Sequence, residues 1–192
     1  MRFSHALLAL LLMPIGSVAA DGLPASSSAR DVKAIAGKAD NATSPITGSR
    51  RALSLPDMEG AMHSLTEWQG KVVLLNFWAS WCSPCQYEIR DLVSWQEKYG
   101  AQGLQVVGVG VDAVQKLRNV QRTLEINYPI LVAAPSRYPN IMAGWGNRAG
   151  TVPHTVVMNR DGSVAYIHRG LMSEETFIED VLPLLSRGER RP

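Results

Sequence analysis

Residues 76–90, NFWASWCSPCQYEIR, hold both cysteines of this 192-residue chain, Cys82 and Cys85. They follow KVVLLNFWA (71–79), a nearly continuous apolar run rich in β-branched and aromatic residues, as expected of a strand covered on both faces. Beyond them, Cys85, Ile89, Leu92, Val93 and Tyr99 approximate a helical stripe, which Gly100 is predicted to stop. A Cys-Ser-Pro-Cys segment between strand and helix places Cys82 at a helix N-terminus, where free amides and the dipole stabilise an anion. Helix N-termini and CxxC spacing lower a thiol pKa from about 8.5 toward the ~3.5–7.5 range. Pro84 suits the first helical turn, where its missing N–H costs little.

Two intervening residues let Cys85 attack a mixed disulfide formed on Cys82, which makes exchange intramolecular and reversible. Two other readings stand beside this one. A structural bridge across so short a loop removes little unfolded-state entropy and is a poor staple. Two thiolates are also half of a tetrahedral zinc site, or a transient soft-metal site. The imidazoles available past the N-terminal leader are His63, His154 and His168, none paired at ligand spacing.

Arg2 and His5 precede an apolar block, Ala6 to Ile15, and then small residues ending Val18-Ala19-Ala20. That order is a secretory signal over residues 1–20, expected to be cut after Ala20. The block has about half of the ~20 residues a membrane span needs, and Pro14 interrupts it. Residues 21–50, rich in Ser, Ala, Gly and Asp, read as a flexible linker. One folded domain is expected over 51–187, with a frayed basic tail over 188–192. Nineteen Lys and Arg against 17 Asp and Glu give a net charge of +2. Losing Arg2 leaves 18 against 17, or +1, with no long-range pull toward nucleic acid or an anionic membrane. The expected product is an exported, periplasmic monomer.

RALSLPDMEGAMHSL (51–65) reads as a hairpin: Leu53 and Leu55 alternate, PDMEG turns, and Met62 and Leu65 resume an apolar side. GLQVVGVGVD (103–112) reads as a buried strand whose glycines mark close backbone approach. Val114, Leu117, Gln121 and Leu124 mark a helix, and YPILVA (128–133) a strand. The β-α-β-α-β order implies parallel strands with right-handed crossovers. HTVVMN (154–159), an NRDG turn and SVAYIHRG (163–170) predict an antiparallel hairpin. Ser173 should cap a last helix with Glu174 and Glu175 in its first turn and Ile178, Val181, Leu182 and Leu185 as its buried stripe. Pro183 is expected to kink or end it.

With strand, WCSPC, helix and a late TVPHT in this order, residues 51 to about 186 resemble the thioredoxin superfamily, in particular the exported TlpA/ResA-like thiol-disulfide oxidoreductases. NFWASWCSPCQYE (76–88) carries the likeness, and GTVPHTVVMNRDGSV (150–164) supports it. The resemblance implies an α/β thioredoxin-like fold: a central mixed sheet, flanking helices and an N-terminal hairpin. It implies a redox-active Cys82–Cys85 disulfide with no bound cofactor or metal, Cys82 as nucleophile and Cys85 as buried resolving thiol. Pro153 becomes a cis proline facing them, leaving the Val152 backbone, with Trp81, Ser83 and Pro84, to meet a bound substrate strand. Glu88 matches a carboxylate that governs proton removal from Cys85. Thioredoxins proper use a buried acid at the position of Asn76, which takes no proton. Trp78 is expected in the core and Trp81 as a cover beside the active sulfur.

Two departures qualify the likeness. Arg90 stands where many relatives have proline, implying a straighter first helix. His154 follows the cis proline where members devoted to cytochrome c maturation carry an acid, which argues against that subfamily; at a strand start it reads as an exposed residue. The implied function is reduction of disulfides in client proteins, with electrons from a membrane donor of a thiol-reducing pathway. Ser83-Pro84 puts no charge between the cysteines, which argues against a strong oxidant. The alternatives are a peroxiredoxin-like peroxidase, whose Thr-Pro-x-x-Cys setting is absent here, and a copper- or metal-delivery module using both thiols.

Overall fold

A short hairpin opens the fold in the computed structural model, which describes residues 53–186. The expected leader, linker and tail, and positions 51, 52 and 187, lie outside the described residues. Strand β1 (Ser54–Pro56) pairs antiparallel with β2 (Met62–Ser64). The turn between them closes on Asp57, whose Oδ1 accepts from the amides of Glu59 and Ala61, both at 2.9 Å. Met62 is exposed, so the apolar side of the hairpin rests on Leu55 and on Leu65 in the 3₁₀ turn Leu65–Trp68.

Strand β3 (Val72–Trp78) is buried at all seven positions, as its unbroken apolar composition demands. Helix α1 (Ser83–Tyr99) follows without a break, consistent with Arg90 in place of proline. Its end differs from expectation. Gly100 keeps a right-handed conformation and leads into a 3₁₀ turn, Gly100–Gln102; the left-handed residue is Gly103, at φ 97°. Gly103 also meets Arg160, whose guanidinium would stand 2.5 Å from an added Cβ. That guanidinium donates to the carbonyls of Gly70, Gln102 and Leu185, tying three separate segments of the chain together.

Strand β4 (Leu104–Gly110), helix α2 (Val114–Thr123) and strand β5 (Ile130–Val132) complete the parallel part. Within α2 only Leu117 is buried, packed where a Cβ on Gly110 would clash at 2.7 Å; Val114 is exposed and Gln121 and Leu124 are half-buried. A short helix α3 (Tyr138–Gly144), which carries too few turns to show a periodic stripe, was not predicted. Strands β6 (His154–Met158) and β7 (Val164–Arg169) then add antiparallel, giving the order β5-β4-β3-β6-β7. This is the expected α/β thioredoxin-like architecture of a mixed sheet with flanking helices and an N-terminal hairpin.

The chain ends in α4 (Glu174–Thr176), a π-helical stretch Phe177–Val181 and α5 (Leu182–Ser186). Ser173 caps it as predicted, accepting from Thr176 N at 3.2 Å. Pro183 does not end the helix: the turn before it widens, with Leu182 N–H donating to Phe177 O, a π-type solution to a residue that cannot donate. Its buried stripe is Phe177, Val181 and Leu185, while Ile178 is exposed. Phe177 stacks on Trp95 of α1 at 4.1 Å between centroids, worth about 0.5–1.5 kcal/mol beyond area burial.

Alternation along the strands sends side chains to two cores. Leu74, Trp78, Val106 and Val157 meet α1, α2 and the last helix; Leu75, Phe77, Val107 and Val156 meet the hairpin and α3.

At the hairpin, His63 stands between Glu67 (2.8 Å, through Nδ1) and Asp57 (3.2 Å, through Nε2). The hydrogen bond to Glu67, then that to Asp57, raises its pKa. The raised value means that the clip stabilises the fold fully below about pH 6.5, the free-histidine value, and stops doing so as pH rises through the folded value. We expect His63→Gln to lower the denaturation midpoint at pH 5.5 and to leave it unchanged at pH 9; equal loss at both would refute the clip.

Candidate active site

The C-terminal end of β3 delivers a tightly tied turn. Cys82 N–H donates to Ala79 O at 3.1 Å, Gln86 Nε2 donates to Ser80 O at 2.8 Å, and the Ser80 hydroxyl donates to Asp112 Oδ2. Asp112 is held in turn by the Ala113 amide at 2.7 Å and by Lys116. Sequence reasoning missed this strap because Ser80 and Asp112 come from separate loops. It fixes the approach of the chain to α1.

Cys82 caps α1 in an extended conformation, and its Sγ accepts from Cys85 N–H at 3.2 Å. Both sulfurs are joined in a disulfide with Sγ–Sγ 2.06 Å, and Pro84 occupies the first turn. Cys85 is fully buried and Cys82 retains 5% exposure, so of the pair only Cys82 has any exposed surface. Ser83 and Pro84 are exposed beside it. Trp78 is in the core as expected, while Trp81 is 70% exposed and so stands as open apolar surface.

Glu88 lies three residues past Cys85 on the same buried face of α1, with no solvent exposure. Its Oε2 accepts from Asn76 Nδ2 at 2.7 Å and its Oε1 from the Met172 amide at 2.9 Å. Burial pushes its pKa up to about 7, against the pull of those two donors. Asn76 also donates to Thr155 Oγ1 at 3.0 Å. Asn76 thus holds the carboxyl that the neighbouring helix supplies. The Met172 contact joins residues 84 positions apart and left no trace in the local pattern.

Pro153 is in a cis peptide with Val152, as the resemblance implied. It precedes β6, whose His154 pairs with Phe77, so it lies at the end of the sheet where β3 leads into Cys82. The loop before it is fastened by Asn147, whose Nδ2 donates to Thr151 O at 2.6 Å. Neither the amide nor the carbonyl of Val152 has a hydrogen-bond partner among the described residues. An extended chain could pair there.

His154 corrects an expectation, being buried rather than exposed. Its register opposite Phe77 turns it to the sheet face away from Glu88, where Nε2–H donates to Trp145 O at 3.0 Å. Burial, then the charges of Arg169 and His168, hold its pKa below the usual histidine value. It therefore takes no part in the hydrogen bonds that hold Glu88.

Chemically, the arrangement can open and close one disulfide at a helix N-terminus, with a carboxyl of near-neutral pKa alongside. Among the described residues no group of three or more His, Cys, Asp or Glu could hold a metal ion, and no helix is long and apolar enough to cross a membrane.

Residues 49–167 match the AhpC/TSA family. The thiol-disulfide oxidoreductase ResA of Geobacillus thermodenitrificans is 32% identical over 124 residues, covering 63% of this chain and 67% of that one. ResA of Bacillus subtilis is 27% identical over 136 residues, covering 70% and 73%. Among solved structures, a putative thiol:disulfide interchange protein DsbE from Chlorobium tepidum superposes with a TM-score of 0.61 at 28% identity, over 69% of this chain and 92% of its own. A secreted thiol-disulfide isomerase from Corynebacterium glutamicum, at 23% identity and TM-score 0.63 over 70% and 83%, shares the fold.

The Glu88 carboxyl has a stability consequence whose sign is fixed by its raised value: burial of the neutral acid is fully tolerated below about pH 4.5 and becomes costly as pH rises through 7. Over that range the oxidised protein should lose up to about 3 kcal/mol relative to Glu88→Gln. Denaturant titrations of both proteins from pH 4 to 8 check this; parallel profiles would mean that Glu88 ionises freely.

Proposed function

Because the chain belongs to the AhpC/TSA family and is a ResA-like thiol-disulfide oxidoreductase of the thioredoxin superfamily, we propose that it reduces disulfides in client proteins through Cys82 and Cys85. The observation that carries this reading is the Cys85 amide donating to Cys82 Sγ at the start of α1. In the dithiol form that amide and the helix dipole favour a thiolate on Cys82, the member of the pair that keeps some exposed surface.

The Cys82 thiolate attacks a client disulfide, forming a mixed disulfide and releasing one client thiolate. Cys85 gives its proton to the Glu88 carboxylate, attacks Cys82 Sγ and releases the second client thiolate. The client gains two electrons and the pair loses them. Val152, level with this end of the sheet, offers its unpartnered backbone groups to the client strand, and Trp81, Ser83 and Pro84 border it. Regeneration requires a dithiol donor, proposed to be a membrane protein of a thiol-reducing pathway, since an exported pair otherwise stays oxidised. The protein is taken to act in the periplasm as a monomer, its domain spanning 51–187 after a linker.

The family match also invites a peroxidase reading. WASWC lacks the Thr-Pro-x-x-Cys setting of that chemistry, and the exchange reading accounts for both cysteines, so it is preferred.

Cys85→Ser should trap covalent complexes between Cys82 and clients, and the wild-type couple should have a potential at or below roughly −220 mV in glutathione or dithiothreitol buffers. A potential near about −120 mV would reverse the direction while keeping the residue roles. For export, mass spectrometry of protein recovered from the periplasm should give a chain beginning at Asp21; an intact N-terminus would show that the leader is retained.

A further inference from the structure

Three buried polar atoms on the sheet face that carries the Glu88 network have no hydrogen-bond partner among the described residues: Asn76 Oδ1, Trp78 Nε1 and the Tyr128 hydroxyl. The register gathers them around Gly108. Asn76 pairs with Gly108 across β3 and β4, and Trp78, two residues on, faces the same way. A Cβ added to Gly108 would stand 3.0 Å from Trp78 Nε1 and 3.4 Å from Tyr128 Cε2. Asn76 Nδ2 meanwhile holds the Glu88 carboxyl. Glu88 is also within electrostatic reach of Tyr128: burial first, and then the Glu88 charge, raise the phenol above its usual value.

The unpartnered set is complementary to one water molecule. Such a water accepts from Trp78 N–H and Tyr128 O–H and donates to Asn76 Oδ1 and to Glu88, which completes its four bonds. We propose that Tyr128 is a positioning residue for Glu88: with Trp78 and Asn76 it holds an internal water that donates a hydrogen bond to the ionised carboxylate. This deepens, and rests on, the reading of Glu88 as the group that takes the Cys85 proton. The bond adds to those from Asn76 and Met172 and favours the charged form at a site where burial opposes it. The other titratable groups facing Glu88 are Cys85 and Asp91 on its own helix, the latter a like charge that resists ionisation; Asn76, Thr155 and the Met172 amide are neutral.

The test is an infrared titration of the protonated carboxyl band in the oxidised protein, in which neither cysteine titrates, with the band assigned by its loss in Glu88→Gln. Tyr128→Phe removes one of the two donors holding the water and should raise the midpoint by about one pH unit, a tenfold weaker ionisation. Tyr138→Phe, which alters the core on the opposite sheet face, should leave it unmoved. An unmoved midpoint in Tyr128→Phe overturns the proposal. Should that variant fail to fold, the wild-type protein decides: the Trp78 indole N–H resonance must titrate with the midpoint of the Glu88 band, and an indole that ignores it overturns the proposal too. Glu88→Gln with full client reduction from pH 6 to 8 would instead sink the proton-transfer reading, an outcome separate from any shift of the midpoint.

Discussion

A carboxyl group placed in a protein core has to find its hydrogen bonds there, and much of this molecule is arranged around the one at Glu88. Burial alone would drive the group to stay neutral at any physiological pH. Two donors brought from distant parts of the chain, Asn76 in the central strand and the Met172 amide before the last helix, bring its pKa to about 7. An acid poised there can both take and return a proton near neutrality, which suits a dithiol that must be oxidised and reduced in turn. The carboxyl sits on α1 rather than on β3, where Asn76 supplies the amide that orients it.

The two-sided sheet makes this possible. Strand β3 is buried on both faces, so its alternate residues belong to different cores. Asn76, Trp78 and Thr155 face α1, while Phe77 and His154 face the hairpin and α3. One step along β6 thus separates Thr155, which bonds to the Glu88 network, from His154, which points to the opposite face of the sheet. Glycines at 108 and 110 let Tyr128, Trp78 and Leu117 close down on β4.

Around the sulfurs, rigid and open features lie side by side. The turn before Cys82 is tied by Ser80, Gln86 and Asp112, and Asn147 fastens the loop that ends at Pro153. Between these fixed segments, Trp81 presents exposed apolar surface and Val152 presents backbone groups that have no partner among the described residues. An exchange protein needs that combination, because a flexible sulfur would lose orientation and a fully satisfied surface would have nothing to offer a client.

Local chemistry in the sequence was enough to place the helix start at Cys82, the order of the strands and of the longer helices, and the hairpin after Pro153. Each rests on neighbours within a few residues: alternation, a cap, a proline, a CxxC spacing. Where that logic failed, a contact between distant residues had overruled it. Gly100 was displaced as the stop of α1 by Gly103, which must also admit Arg160, and Ile178 was displaced by Phe177, which stacks on Trp95. Only the tertiary structure decided which face His154 takes and which donors Glu88 receives. Both follow from strand register and from chain segments up to 84 residues apart, and a protonation equilibrium is set by whatever those segments bring within hydrogen-bonding distance.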